Sequence, residues 1–248
     1  MSFPALEVVL PLALVCTLAF TIETALGFGA TLITVALGSF FLDLAHILPA
    51  LVPLNLVLSG YLVIRYGQHV DRAFLLKRLA PFMALGLPLG ITVFASLDAS
   101  MLKRLFGLFL VAVSALELWR MRVASPVKHL DPWSERLLLL AGGAIHGAFA
   151  TGGPMAVYVT SRVVEDKNQY RATLSALWTV LNVVLLASYG FGGQLDGESA
   201  GLAVGLVPSI AIGMVVGEAL HARAPARTFR AIVFGMLAVA GLVLVARG

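Results

Sequence analysis

The segment ETALGFGATLITVALGSFF, residues 23 to 41, places a carboxylate and two closely spaced glycines inside a long apolar stretch. A carboxylate near the middle of a membrane helix costs about 2.5 to 3.5 kcal/mol on insertion scales, and glycine weakens a helix. A segment that only had to cross a bilayer would gain from neither. We therefore expect a helix break at the Gly-Phe-Gly sequence, with a role beyond anchoring the chain.

The composition identifies an integral membrane protein. The 248 residues are 60% hydrophobic and 12% charged, with a mean hydropathy of +0.97, far more apolar than an average soluble domain. Five long runs carry no Lys, Arg, Asp or Glu and match the roughly 20 residues needed to cross the hydrocarbon. They are residues 45–64, 79–97, 137–161, 172–195 and 199–217. No basic region precedes the first apolar stretch, so we expect that stretch to remain as a helix rather than as a cleaved signal.

The basic residues predict the orientation of the chain. Apolar segments are expected at 3–26, 29–44, 46–66, 79–97, 101–120, 136–150, 153–163, 170–190, 199–220 and 227–246. Four short stretches between them hold 14 of the 17 Lys and Arg residues, namely 65–78, 120–136, 162–171 and 221–230. The positive-inside rule places these stretches in the cytoplasm and the acidic, glycine-rich 190–199 outside. We expect a multi-pass membrane protein with these four stretches on one side.

Regular spacings point to an internal duplication. Asn55 precedes Asn182 by 127 residues, the glycine pair of GLPLG (86–90) precedes that of GMVVG (213–217) by 127, and Gly29 precedes Gly153 by 124. The prediction is an all-α polytopic membrane protein of two inverted repeats with broken or re-entrant helix hairpins and about 8 to 10 membrane segments. The first repeat is expected at residues 1–122 and the second at residues 136–248. A cytoplasmic linker, residues 123–135, joins them. Segment 153–163 is too short to span the membrane. The sequence leaves open whether the segments 3–26 and 29–44 each cross it fully.

The two glycine-rich breaks, GFGAT and TGGPM, are the predicted anion site. Each ends one helix and starts another, and the new helix presents free N–H groups and a partial positive charge at mid-membrane. The predicted substrate-binding residues of the breaks are Gly27, Phe28, Gly29, Ala30, Thr31, Thr151, Gly152, Gly153, Pro154 and Met155. The alternative is that these glycines only permit close helix packing.

Five side chains complete the predicted site. Asn55 and Asn182 lie deep in uncharged runs, where an amide needs a hydrogen-bond partner, so they contact substrate or join helices. Trp178 precedes Asn182 by one turn and is expected either to wall the site or to pack. Glu23 and His146 each lie six residues before a break glycine and can titrate, which makes them candidates for proton coupling. A structural role for His146 remains open.

Other functions find no support in the sequence. The sequence has no H-E-x-x-H pair and no P-loop, and we expect neither an enzyme nor a metal site or cofactor. The basic residues lie in short loops between apolar spans, which is a topology signal, so we expect no nucleic acid partner. The expected partners are a small anion and the lipid bilayer. The small-xxx-small motifs GLPLG and GMVVG predict helix contacts, including a possible homodimer seam.

The order of these motifs resembles the TauE/SafE family of sulfite and organosulfonate exporters. The resemblance rests on GFGAT, the loop with Arg65, Gly67, Val70 and Asp71, GLPLG followed by LKRLFGLFLVAVSALEL, and HGAFATGGPM. It covers nearly the whole chain and implies transport of small sulfur-containing anions across a bacterial inner membrane, often outward. Phe28 and Ala30 stand where glycine is frequent in the family. An anion channel and a non-transporting membrane scaffold are the alternative functions.

Overall fold

The described chain is built from α-helices joined by short turns. The computed structural model describes residues 6–122, 130–223 and 226–247. The elements of the first half are α1 (Leu6–Leu26), α2 (Ala30–Gly38), α3 (Leu44–Tyr66), a 3-10 turn (Gly67–His69), α4 (Arg72–Phe74), a π-helical stretch (Leu75–Leu79), α5 (Ala80–Ser96) and α6 (Ala99–Arg122). Those of the second half are α7 (Pro132–Phe149), α8 (Gly153–Thr160), α9 (Lys167–Phe191), α10 (Gly197–Arg223) and α11 (Ala226–Arg247).

The predicted all-α polytopic membrane fold is confirmed. Within the described residues, six helical stretches are long and apolar enough to cross a membrane. They are Val9–Leu26, Leu44–His69, Arg72–Ser96, Ala99–Arg122, Lys167–Phe191 and Gly197–His221. Residues 123–129 of the predicted linker lie outside the described residues, and the repeat boundaries stay a prediction.

The helices α2 and α8, which follow the two breaks, are too short to cross a membrane. α2 has 9 residues and α8 has 8, so at 1.5 Å per residue each is roughly 12 to 14 Å long, against about 30 Å of hydrocarbon. The apolar segment expected at 29–44 therefore does not cross fully: α2 ends at Gly38, and α3 begins at Leu44 after a turn. Both halves of the chain thus contain a long helix followed, after a break, by a half-length one.

Glycines bring the long helices close together in pairs. A Cβ at Gly86 or Gly90 of α5 would overlap the carbonyl oxygens of Leu140 and Ala144 of α7. A Cβ at Gly213 of α10 would lie 2.7 Å from the Cβ of Phe20 in α1, and Gly217 also faces α1. The predicted helix contacts are thus made within one chain. The homodimer itself stays a prediction.

Charged and polar residues gather at the two ends of the helix bundle. At the end predicted to be cytoplasmic, the hydroxyl of Tyr66 donates to Glu218 at 2.6 Å, and the Lys167 ammonium donates to the carbonyl of His221 at 3.0 Å. At the other end, Lys103 pairs with Asp43. Three of the four stretches predicted to be cytoplasmic therefore meet at one end, and the two helix breaks lie between the ends.

Candidate functional site

The first break follows from two glycines with left-handed backbone. α1 ends at Leu26, where the Gly27 N–H donates to the carbonyl of Glu23 at 2.7 Å. Gly27 has φ +87° and Gly29 has φ +117°, a region that residues with a Cβ rarely adopt. The chain can therefore turn within three residues and restart as α2 at Ala30.

The Glu23 carboxylate caps the helix that follows the break. Its Oε2 accepts the backbone N–H of Ala30 at 2.7 Å, and the whole contact is buried. A carboxylate at this position interacts favourably with the positive end of the α2 dipole. The N-terminus of α2, which sequence reasoning assigned to the substrate anion, thus already holds a carboxyl group of the chain itself.

The second break repeats this arrangement with an imidazole. Ala150 ends α7 in the left-handed region, with φ 51°, and its N–H donates to the carbonyl of His146 at 2.7 Å. The Gly152 N–H then points at Nδ1 of His146 at 3.4 Å, immediately before α8. Because Nδ1 accepts, the neutral ring carries its proton on Nε2, which has no hydrogen-bond partner among the described residues. That Nε2–H faces the side chain of Asn182, which interacts with the ring.

The two breaks meet at one small, partly open cavity, with a volume of about 20 Å³ available to water-sized spheres. Ten predicted site residues line it: Glu23, Phe28, Gly29, Thr31, Asn55, His146, Thr151, Gly153, Trp178 and Asn182. Leu32 and Ala150 line it as well and were not predicted. The other predicted residues lie in the breaks beside the cavity and are not part of its wall, namely Gly27, Ala30, Gly152, Pro154 and Met155.

Both asparagines face this cavity with unused hydrogen-bonding capacity. The Asn55 amide nitrogen donates to the hydroxyl of Thr31 at 2.5 Å, which joins α3 to α2. Among the described residues, Oδ1 of Asn55 and Oδ1 of Asn182 have no partner. Rotating an amide by 180° exchanges its oxygen and nitrogen, so each side chain can offer donors to a bound anion.

Trp178 joins the two breaks. Its indole N–H donates to the carbonyl of Gly27 at 2.9 Å, which satisfies an acceptor at the first break. Its ring stacks on His146 of the second break, with centroids 5.6 Å apart and planes 15° apart. The residue predicted as a wall thus also fixes the relative positions of the two breaks.

The lining provides polar groups without a cation. No Lys or Arg is among the residues that line the cavity, whose donors are hydroxyls, amides, backbone N–H groups and the His146 ring. Donors of this kind replace the hydration of a small anion without trapping it as tightly as a fixed positive charge would. The arrangement suits reversible anion binding.

The family of the chain follows from its sequence along nearly its whole length. The model of the sulfite exporter TauE/SafE family matches residues 12–244. The chain belongs to the sulfite exporter TauE/SafE family. No curated protein and no solved structure matches it. TauE/SafE proteins are membrane transporters of sulfite and related sulfur anions, and the six apolar helices agree with a multi-pass membrane protein.

Sequence reasoning missed one buried cation beside the site of this TauE/SafE protein. Arg171 was placed in a cytoplasmic stretch, yet it is 2% exposed and packs directly against the first break. Its guanidinium donates to the carbonyl of Thr24 at 3.1 Å. One feature of the sequence could have indicated this position. Arg171 precedes Trp178 by seven residues, or two helical turns, so both side chains lie on the same face of α9.

Proposed function

We propose that the protein is a secondary transporter that exports a small sulfur-containing anion, such as sulfite or an organosulfonate, across the bacterial inner membrane. The observation that carries the proposal is the meeting of two helix breaks, one from each half of the chain, at one buried cavity without a cation. Discontinuous helices that meet at a central site are typical of secondary transporters.

The anion is bound by groups from both breaks. Backbone N–H groups at the starts of α2 and α8, the hydroxyls of Thr31 and Thr151 and the amides of Asn55 and Asn182 provide donors around one small volume. The His146 Nε2–H adds a donor from the second half. Phe28 and Trp178 exclude water on the remaining sides. Each hydrogen bond to a charged ligand contributes about 1.5 to 3 kcal/mol, so a few of them hold the anion.

Alternating access arises from two inverted repeats, 1–122 and 136–248, that move against each other. The helix pairing agrees with such a relationship: α1 packs on α10, α5 packs on α7, and α3 and α6 pack on α9 and α11. If α1 of the first repeat corresponds to α7 of the second, and α5 to α10, then the contact of α1 with α10 is the equivalent of the contact of α7 with α5. The glycine pairs Gly86/Gly90 and Gly213/Gly217 sit at these two contacts.

Glu23 and His146 couple the anion to protons. Each side chain accepts a hydrogen bond from a backbone N–H group at the start of a half-length helix. An ionised Glu23 repels the substrate anion and competes with it for the N-terminus of α2, whereas a protonated Glu23 does neither. Uptake of a proton at Glu23 therefore favours anion binding, and its release favours anion release.

Counterflow in proteoliposomes tests the proposal against its alternatives. Vesicles loaded with unlabelled sulfite should take up external labelled sulfite faster than empty vesicles, because a transporter exchanges substrate through a closed intermediate. Labelled chloride serves as the control anion. Equal uptake by loaded and empty vesicles would indicate a channel.

Substrate class is tested by thermal unfolding. We expect sulfite, thiosulfate, sulfoacetate or taurine to raise the unfolding temperature of the purified protein, since a ligand that binds only the folded state stabilises it. Plain carboxylates of similar size are the control. No shift with any of the sulfur compounds would favour a non-transporting scaffold.

A further inference from the structure

A polar cluster holds the carboxyl end of α1 directly beneath the cavity. The last turn of a helix leaves carbonyls without helical partners, and two of those in α1 are taken by distant side chains. Arg171 of α9 donates to the carbonyl of Thr24 at 3.1 Å, and Nδ1 of His221 in α10 lies 2.6 Å from the carbonyl of Ala25. The start of the first break is thus tied to α9 and α10.

The same arginine is the centre of an ion-pair network. Its guanidinium lies 3.2 Å from Oε1 of Glu218 and 4.3 Å from the centre of the Tyr66 ring. The Tyr66 hydroxyl donates to Oε2 of Glu218 at 2.6 Å, which closes a triangle between α3, α9 and α10. The Arg171 side chain is 3% exposed, so removing one partner leaves a buried charge uncompensated, which is strongly unfavourable.

The cluster lies between the cavity and the end of the bundle predicted to be cytoplasmic. A Cβ built at Gly27 would meet the Cα of Arg171 at 3.3 Å, so α9 touches the first break at that residue. Two turns further along α9, Trp178 lines the cavity and bonds to the carbonyl of Gly27. Tyr66 and His221 belong to stretches predicted to face the cytoplasm. An anion that moves from the cavity towards that side must pass this layer.

We propose that Arg171, Glu218, Tyr66 and His221 form a gate that closes the cavity towards the cytoplasm. This gate rests on the proposed transport function, since only a transporter has to open the cavity to each side in turn. Opening separates Glu218 and Tyr66 from Arg171 and frees the carboxyl end of α1 with its break. A weakened network therefore shifts the population towards the state open to the cytoplasm.

Accessibility of a cysteine behind the gate tests this assignment without any substrate. Ser175 lies on α9 between Arg171 and Trp178 and is 1% exposed. Ser175→Cys, in a Cys16→Ala background, provides one thiol of similar size to the hydroxyl. Inside-out vesicles present the cytoplasmic side to a small, membrane-impermeant thiol reagent, and the measurement is the labelling rate.

The gate variants are Glu218→Gln, which removes the negative charge, and Tyr66→Phe, which removes only the hydroxyl. We expect Glu218→Gln to raise the labelling rate roughly tenfold and Tyr66→Phe about threefold, which correspond to one charged and one neutral hydrogen bond. The matched control is Glu117→Gln, which breaks the ion pair with Arg120, at 2.5 Å, outside the cluster.

Increased labelling in the gate variants, with the parent rate in Glu117→Gln, supports the gate. The parent rate in Glu218→Gln, or an equal increase in the control, overturns it. Monodispersity in size-exclusion chromatography establishes that each variant is folded. If Glu218→Gln aggregates, the labelling rate of Tyr66→Phe is compared with that of the parent instead, and the parent rate in Tyr66→Phe then overturns the gate. Because no anion is present, a wrong substrate class would not change this result.

Discussion

The Oε2 atom of Glu23 accepts the backbone N–H of Ala30 at 2.7 Å, so the chain places its own carboxyl group at the start of α2. At the second break, Nδ1 of His146 faces the N–H of Gly152 at 3.4 Å. The two breaks thus share one design, in which a titratable side chain from the preceding long helix caps the next half-length helix. The two caps differ in charge, because an ionised carboxylate is negative and a neutral imidazole is not.

Glu23→Gln should abolish the pH dependence of transport and leave anion binding measurable. The glutamine Oε1 can still accept the N–H of Ala30, but it carries no charge at any pH. With thiosulfate, which stays fully ionised from about pH 5 to about pH 8, wild-type binding should weaken as Glu23 loses its proton, whereas the variant should bind equally across this range. Counterflow rates and calorimetric titrations across this range provide the measurement. His146→Ala should shift the profile less, and a wild-type profile in Glu23→Gln would make the acid structural.

Glycine substitutions at the breaks should weaken anion binding. Gly153 offers the cleaner test, because a Cβ there would lie 3.6 Å from the Phe28 ring, an ordinary contact, so Gly153→Ala should fold. The added methyl group would block close approach to the N-terminus of α8, and the loss of one charged hydrogen bond weakens binding about tenfold or more. Gly29→Val should also weaken binding, since its φ of +117° excludes a side chain.

The control for the glycine variants is Gly60→Ala in α3, where a Cβ would meet no atom within 4 Å. Calorimetric titration of the folded, monodisperse proteins compares the affinities. Wild-type affinity in both break variants would mean that the breaks serve packing and that the anion binds elsewhere.

Asn55→Ala and Asn182→Ala should weaken anion binding to similar degrees if the repeats contribute symmetrically. Each loses an amide that faces the cavity with an unpaired oxygen. The expected loss is about tenfold, one hydrogen bond to a charged group. Unchanged affinity in both asparagine variants would assign these residues to helix packing.

Gly90→Ala should destabilise the fold. The new methyl group would overlap the carbonyl of Ala144 and push α5 away from α7, and overpacking of this kind costs about 1 to 3 kcal/mol. Thermal unfolding in detergent gives the measurement. Gly60→Ala is the matched control, because it adds the same methyl group where there is space and where alanine favours a helix. Equal unfolding temperatures for the two variants would contradict the close contact.

The topology prediction is tested by cysteines introduced at two positions in a Cys16→Ala background. Lys128→Cys, in the part of the linker outside the described residues, should react with an impermeant thiol reagent only from the cytoplasmic side. Gln194→Cys, in the turn between α9 and α10, should react only from the outside. Labelling of position 128 from outside would reverse the orientation and move the proposed gate to the opposite side.

Hydropathy and glycine placement were sufficient to predict the helical membrane fold and both breaks. The long charge-free runs leave no alternative to membrane helices, because backbone groups in hydrocarbon must bond internally. The positions of the breaks could also be predicted, since Gly27 and Gly29 weaken a helix and Pro154 suits the first turn of a new helix. The extent of the second segment was not readable, because the apolar sequence continues from α2 through the turn at Ser39 into α3.

The sequence by itself determined that the chain is a helical membrane protein with two interrupted helices and a few polar residues buried among them, because local composition decides where a helix forms and where it stops. Only the tertiary structure decided which buried groups satisfy one another. Arg171 reaches the carbonyl of Thr24, and Trp178 reaches that of Gly27, across about 150 positions of sequence. In an apolar interior every polar group needs a partner, and that partner depends on which helices pack together, which local sequence does not specify.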